Sequence, residues 1–203
     1  MTSFLSSAPC LEVLVQSMLS LRSRQSGFTI LELLATLAIV GIVAALAVPS
    51  LQGLIGRSEI SAASNKLVYS LQTARSEAIK RIVPVTLCPS EDPLEIQPSC
   101  GGELTNGWVV FVDSDGNGEK ANTEDVILQS EALPLAISIV TGSAFNEAVL
   151  YGIEGTTVSA SGAPLTGTIT ISHPGSDDDR EVRIAASGRI TSVATRPASE
   201  RSQ

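Results

Sequence analysis

Four sets of side chains have the types and spacing to do chemistry. Glu32 is the one charge between Phe28 and Pro49. A carboxylate in so apolar a run is costly in lipid and signals a dedicated role. Cys88 and Cys100 stand 12 positions apart. In an oxidising compartment that spacing reads as a disulfide closing one loop, with two free thiols as the alternative. A structural zinc site wants four nitrogen or sulfur ligands, and the only histidine is His173. Asp113, Asp115, Asn117 and Glu124 occupy positions 1, 3, 5 and 12 of a calcium-loop pattern, with Gly118 at position 6. Finally, Arg183, Arg189 and Arg196 lie with Arg180 and Arg201 near the C-terminal end, the kind of cluster that phosphate contacts need.

The calcium pattern competes with a plainer reading. A strand rather than a helix precedes it, and Lys120 holds the eighth position, where an apolar residue is usual. An acidic hairpin loop with Asp-Gly and Asn-Gly turn chemistry, joining Val109–Val112 to Val126–Ser130, uses the same residues. Asp177-Asp178-Asp179 reads as a solvated turn, and His173 as a loop residue before Pro174. With no phosphate-cradling glycine loop, metalloprotease helix or nucleophilic triad, the expectation is a protein that is not an enzyme and needs no cofactor, calcium being the one weak possibility.

The elements that must position these groups begin with the apolar run. Its 22 residues would span roughly 33 Å as a helix, enough to cross a bilayer core. Arg22 and Arg24 precede it and favour a cytoplasmic N-terminus, so the chain after Pro49 is delivered to the opposite face. Beyond Pro49, Ile60, Ala63, Leu67, Leu71, Ala74, Ala78 and Ile82 recur at three- and four-residue steps as one apolar stripe. The pattern predicts one long helix over about 28–81, kinked near Pro49 or loosened by Gly53 and Gly56. From Val83 the period becomes two. Strands are expected at 83–88, 107–113, 125–130, 136–140, 148–151, 166–172, 181–186 and 189–193. The expected fold class is α+β.

Gly27-Phe28-Thr29-Ile30-Leu31-Glu32-Leu33-Leu34, behind a basic leader, resembles the processing site of type IV prepilins and type II secretion pseudopilins. The resemblance implies that a prepilin peptidase cuts between Gly27 and Phe28 and methylates the new Phe28 amine. It also implies that Glu32 pairs with the N-terminal amine of a neighbouring subunit. Such pairing neutralises two poorly solvated charges, and breaking it on one side costs several kcal/mol. A secretory signal ending near Ala45-Leu46-Ala47 is the competing reading. Met18 could serve as the start of a shorter leader.

Ala74-Arg75-Ser76-Glu77-Ala78-Ile79-Lys80-Arg81, Val85-Thr86-Leu87-Cys88-Pro89-Ser90, Gly107–Gly116 and Ala186–Ile190 narrow the likeness to the GspH/FimT family of minor pseudopilins and minor pilins. That family implies a type IV pilin-like fold, a long N-terminal helix with a transmembrane first half, packed on an antiparallel β-sheet domain. The expected divisions are a leader at 1–27, a membrane or filament-core half-helix at 28–50, and an amphipathic half at 51–82. A periplasmic β-rich domain at 83–193 and a disordered tail at 194–203 complete the chain. The implied partners are the prepilin peptidase, other major and minor pilins or pseudopilins, the inner-membrane assembly platform and membrane lipid. The expected location is the inner membrane, single-pass, with the C-terminal domain periplasmic and incorporated in a pseudopilus.

Charge supplies the rival function. The chain carries 13 basic and 21 acidic residues, yet from Ile82 to Asp179 the acids face the single base Lys120. The C-terminal arginines reverse that balance, and charge asymmetry is a partner signal. The expectation is a minor pseudopilin of the type II secretion system. The alternative is a FimT-like minor type IV pilin serving pilus assembly or DNA uptake, with Arg183, Arg189 and Arg196 as DNA contacts. Arginines that merely offset the acidic surface are the structural alternative.

Overall fold

A computed structural model describes residues 27–145 and 148–195, with backbone alone for 46–52. The leader expectations on Met18, Arg22 and Arg24, and those on Arg196 and Arg201, lie outside the described residues. The chain divides into two compact units, up to Leu46 and from Ala47 onward.

Helix α1 is assigned over Ile30–Arg81, including Pro49. It starts two residues later than the apolar pattern suggests, because the Thr29 side-chain oxygen accepts the Glu32 N–H at 3.2 Å and caps the first turn. Glu32 in the first turn and Lys80 and Arg81 in the last complement the helix dipole. In the first unit the described apolar side chains, Phe28, Ile30, Leu31, Leu34 and Leu37 among them, are exposed. Among the described residues no helix is long and apolar enough to cross a membrane. The apolar run continues in sequence into Leu46–Pro49, whose side chains are not described.

The second unit joins the rest of α1 to two antiparallel sheets. The strands are β1 (Val85–Pro89), β2 (Trp108–Val112), β3 (Val126–Ser130), β4 (Ser138–Thr141), β5 (Val149–Tyr151), β6 (Thr157–Val158), β7 (Gly167–Ser172), β8 (Asp179–Ile184) and β9 (Ile190–Thr195). One sheet runs β3-β2-β1-β5-β6 and the other β4-β7-β8-β9. The architecture is α+β. Ile60, Ala63, Leu67, Leu71, Ala74 and Ala78 are buried, as the stripe predicts, and share one core with Val85, Val110 and Tyr151 of the first sheet and Ile169, Ile171 and Val182 of the second. Along β1 the two-residue period sends Val85 and Leu87 to that core, and Cys88 to a smaller cluster with Val109 and Phe111.

Several expectations need correction. Ile82 does not extend the stripe: it is 70% exposed with φ 56°, and its N–H closes the helix on Ala78 O at 3.0 Å. Pro84, two residues on, disfavours helical backbone at the residue before it. Ala194 and Thr195 are not a free tail but pair with Arg180 and Asp179, because β8 begins early enough to template them. The short strand β6 carried too few residues to show a period. Gly56 is a close-packing position rather than a loosened one: a Cβ there would lie 2.7 Å from His173 Nδ1.

Candidate functional site

The residues expected to carry processing and assembly, Gly27, Phe28 and Glu32, sit together at the start of α1. Gly27, Phe28 and Thr29 precede the first helical residue, and Phe28 is 80% exposed. Nothing lies within 4 Å of a Cβ built on Gly27, so the Gly27–Phe28 bond stands clear of described neighbours. Glu32 is one turn in and exposed, its N–H spent on the Thr29 cap and its carboxylate directed to no described partner.

Cys88, on β1, and Cys100 form a disulfide with Cα atoms 5.5 Å apart. The bridge closes a loop containing Pro89, Pro93 and Pro98, and the Gly101 N–H donates to Pro89 O at 2.9 Å beside it. The loop also borders the acidic turn, for Cys100 Sγ lies 3.9 Å from Gly118 O.

The structure brings Asp113, Asp115 and Glu124 together, with a carboxylate oxygen from each inside a 4.8 Å span. Asp113 is buried. Its Oδ2 accepts from Thr86 Oγ1 at 2.7 Å and from the Gly118 N–H at 2.9 Å, and its Oδ1 accepts from the Asn117 N–H. Burial pushes the Asp113 carboxyl above its ordinary range, against the lowering effect of the Thr86 and Gly118 hydrogen bonds. Glu124 accepts the Ser114 and Ala121 N–H groups, one on each oxygen. Asn117 is turned onto its own loop, donating to Asp115 and accepting from the Glu119 N–H. Each carboxylate thus already holds N–H donors of the loop, which is hairpin chemistry; a cation would have only the remaining lone pairs.

The basic residues disperse. Arg183 is spent on Glu181 at 2.7 Å, Arg180 reaches toward Ser61, and Arg57 of α1 pairs with Asp178 at 3.4 Å. Arg189 is exposed at the β8–β9 hairpin and makes no ion pair with a described residue. His173 is a packing residue: its Nδ1 accepts the Gly175 N–H, and its Nε2 lies 3.3 Å from Glu59 Oε2.

Sequence reasoning missed three organising contacts. Arg75 donates from Nε to Gly155 O at 2.9 Å and from Nη2 to Ser187 O at 3.0 Å, clasping two hairpin turns to α1. Trp108 Nε1 donates to Ser70 Oγ at 2.9 Å, fixing β2 on the helix. The Tyr151 hydroxyl is buried with no hydrogen-bond partner among the described residues, and burial raises its pKa well above the ordinary phenol value. Arg75 and Ser70 lie beside the apolar stripe, where a polar residue in sequence reads as solvated.

Two family models match. The prokaryotic N-terminal methylation motif covers residues 22–48, and the type II transport protein GspH covers residues 63–188, more than half of the chain. This chain belongs to the GspH family. Its GspH region runs from the middle of the helical stripe to Gly188. Over 41 residues the chain is 49% identical to the type IV major fimbrial protein FimA of Dichelobacter nodosus, covering 20% of this chain and 26% of FimA. It therefore spans only about a quarter of the length of that curated relative. The crystal structure of the type IV minor pilin FimU of Pseudomonas aeruginosa shares the fold, at TM-score 0.50 and 22% identity over 71% of this chain and 92% of that one. The minor pseudopilin EpsH of the Vibrio cholerae type 2 secretion system superposes at TM-score 0.47 and 13% identity, over 67% and 97%. The GspH region and the methylation motif together describe a minor pilin-like protein.

Proposed function

We propose that this GspH-family protein is a minor pseudopilin of a type II secretion system. In this reading it is a non-catalytic subunit anchored in the inner membrane by the segment after Phe28, with its β-rich domain periplasmic. Gly27–Phe28 is the peptidase site, Phe28 the methylated residue, and Glu32 the partner of a neighbour's N-terminal amine. The observation that carries the reading is the GspH match over 63–188, supported by an exposed Gly27–Phe28 junction set ahead of a capped helix. The test is a quantitative comparison of proteins in the culture medium with and without the gene. Loss of a defined set of exported proteins, restored by the wild-type gene, is the expected result. An unchanged medium overturns the secretion assignment.

One observation favours a second reading. Arg189 is exposed at a hairpin turn and makes no ion pair with a described residue, which leaves its guanidinium available to a phosphate, as a FimT-like minor pilin that takes up DNA would need. Under that reading duplex DNA binds in a salt-dependent manner and Arg189→Ala weakens it. Equal binding by the variant removes this reading.

A further inference from the structure

Two surfaces of the 47–203 unit carry exposed apolar side chains and net charges of opposite sign. The first lies where α1 ends. Ile79, Ile82 and Ile153 are all substantially exposed there, and Ile79 packs so closely on the β5–β6 turn that a Cβ on Gly155 would sit 2.6 Å from it. Arg75 clasps that turn and the β8–β9 turn to the helix. Gly188 approaches the Gly155 carbonyl too closely to admit a side chain. Ile82 is held in the left-handed region with its side chain outward. For a β-branched residue that conformation costs free energy, and such outliers concentrate at functional surfaces. The bases of this end are Arg75, held by the two turn carbonyls, Lys80 and Arg81, which share Glu77 at 3.1 and 2.8 Å, and Arg189; with Glu154 as the other acid, four bases stand against two acids.

The second surface is a groove of about 490 Å³ between the disulfide-closed loop and the chain after β3. Pro93 is buried beneath it, and Leu94 stands exposed on its wall. Ile96 beyond is 98% exposed. The Gln129 amide holds Glu95 O at 2.9 Å, and the Cys88–Cys100 bridge closes the loop, so these apolar side chains are presented on a fixed frame. Pre-set loops lose little entropy on binding. Glu91, Asp92, Glu95 and Glu131 line the groove, and Lys66 pairs with Glu131 at 4.0 Å.

We propose that these surfaces bind each other between copies: the isoleucine–arginine end of one chain seats on the acid-lined groove of a second copy. The charge signs are complementary, and each surface supplies the exposed apolar side chains that the other lacks a cover for. The contact is heterologous, since the two faces differ, and so leaves one face of each kind free on a dimer. Duplex DNA would satisfy the bases but offers nothing to three isoleucines, which favours protein. The proposal does not depend on which machine the protein joins.

The test uses the full-length chain in detergent micelles, followed by sedimentation over a range of concentration and salt. Wild-type self-association is expected to weaken as salt rises. Ile82→Glu and Ile96→Arg, both at exposed positions, are each expected to weaken it by roughly tenfold or more. Mixed in equal amounts, the two variants retain one intact surface each, and are expected to form a dimer that grows no further. Circular dichroism confirms that each variant is folded, and the micelle-bound helix is common to all samples. Three results overturn the proposal: no concentration-dependent association, association unchanged in both variants, or no recovery on mixing. Binding of a duplex DNA probe that needs Arg189, without self-association, reassigns the basic end to nucleic acid.

Discussion

At the scale of single residues, Ile82 is the clearest conflict between local preference and the fold. An L-residue in the left-handed region costs about 1–2 kcal/mol, and Ile82 recovers little of that by burial. Glycine tolerates the conformation but gives up about 0.5–1 kcal/mol of unfolded-state entropy. Ile82→Gly is therefore expected to stabilise the domain by up to about 1 kcal/mol in denaturant unfolding, while weakening the association proposed above. Asp113 makes a pH prediction. Its folded pKa is raised by burial, so the folded state holds the proton more tightly than the unfolded chain. The stability it contributes is complete below the ordinary carboxylate value and is lost as pH rises through the raised one. Glu77, lowered by Arg81 and then Lys80, acts in the opposite sense, losing its contribution as pH falls below its ordinary value. The Tm of the wild type minus that of Asp113→Asn should accordingly decrease as pH rises from the ordinary carboxylate range through the raised value of Asp113. A difference that grows over that window would show that the ionised carboxylate's hydrogen bonds outweigh its desolvation.

At the scale of elements, the loop after β1 and the hairpin turns determine how well the sheets are fastened. Closing a loop of this length contributes about 3 kcal/mol in the chain-entropy model. The double variant Cys88→Ser with Cys100→Ser is expected to lose about that much in chemical unfolding, and reductant should reproduce the loss in the wild type. Two glycines separate backbone strain from crowding. Gly116 and Gly188 both have positive φ, 69° and 73°, but a Cβ on Gly116 meets nothing while one on Gly188 meets the Gly155 carbonyl. Gly116→Ala should cost about 1 kcal/mol from φ alone. Gly188→Ala should cost at least about 1 kcal/mol more, because the obstructing atom is backbone and Arg75 holds both turns. Equal losses would mean that the turns part easily. The strands with a clear two-residue period and the capped helix were legible in sequence, since local pattern and burial agree there. Ile82, Gly56 and the Arg75 clasp were not, because each is decided by a turn more than 70 positions away or by the chain's need to reverse before Pro84.

At the scale of the whole molecule, one observation ties the 47–203 unit together: both sheets share a single core on the α1 stripe. Leu67 and Leu71 are fully buried among residues of both. The stripe was readable because a 3.6-residue period survives whatever packs on it. That two sheets rather than one would share it was not, since strand order is fixed by long-range pairing that a period cannot reveal. The sharing has a thermodynamic consequence. Were each sheet packed on its own stretch of helix, they could melt separately; with a common core, loss of the stripe removes the support of both. Leu67→Ala should therefore cost about 2–5 kcal/mol. Trp108, the chain's only tryptophan, is buried in the first sheet and reports its melting by fluorescence. Backbone hydrogen exchange at Ile169, Ile171 and Val182 reports the second. In both wild type and Leu67→Ala the two signals should give one stability within error, as a two-state domain requires. A variant in which the second sheet opens while Trp108 stays buried would divide the core in two, and would assign Leu67 to the first sheet alone.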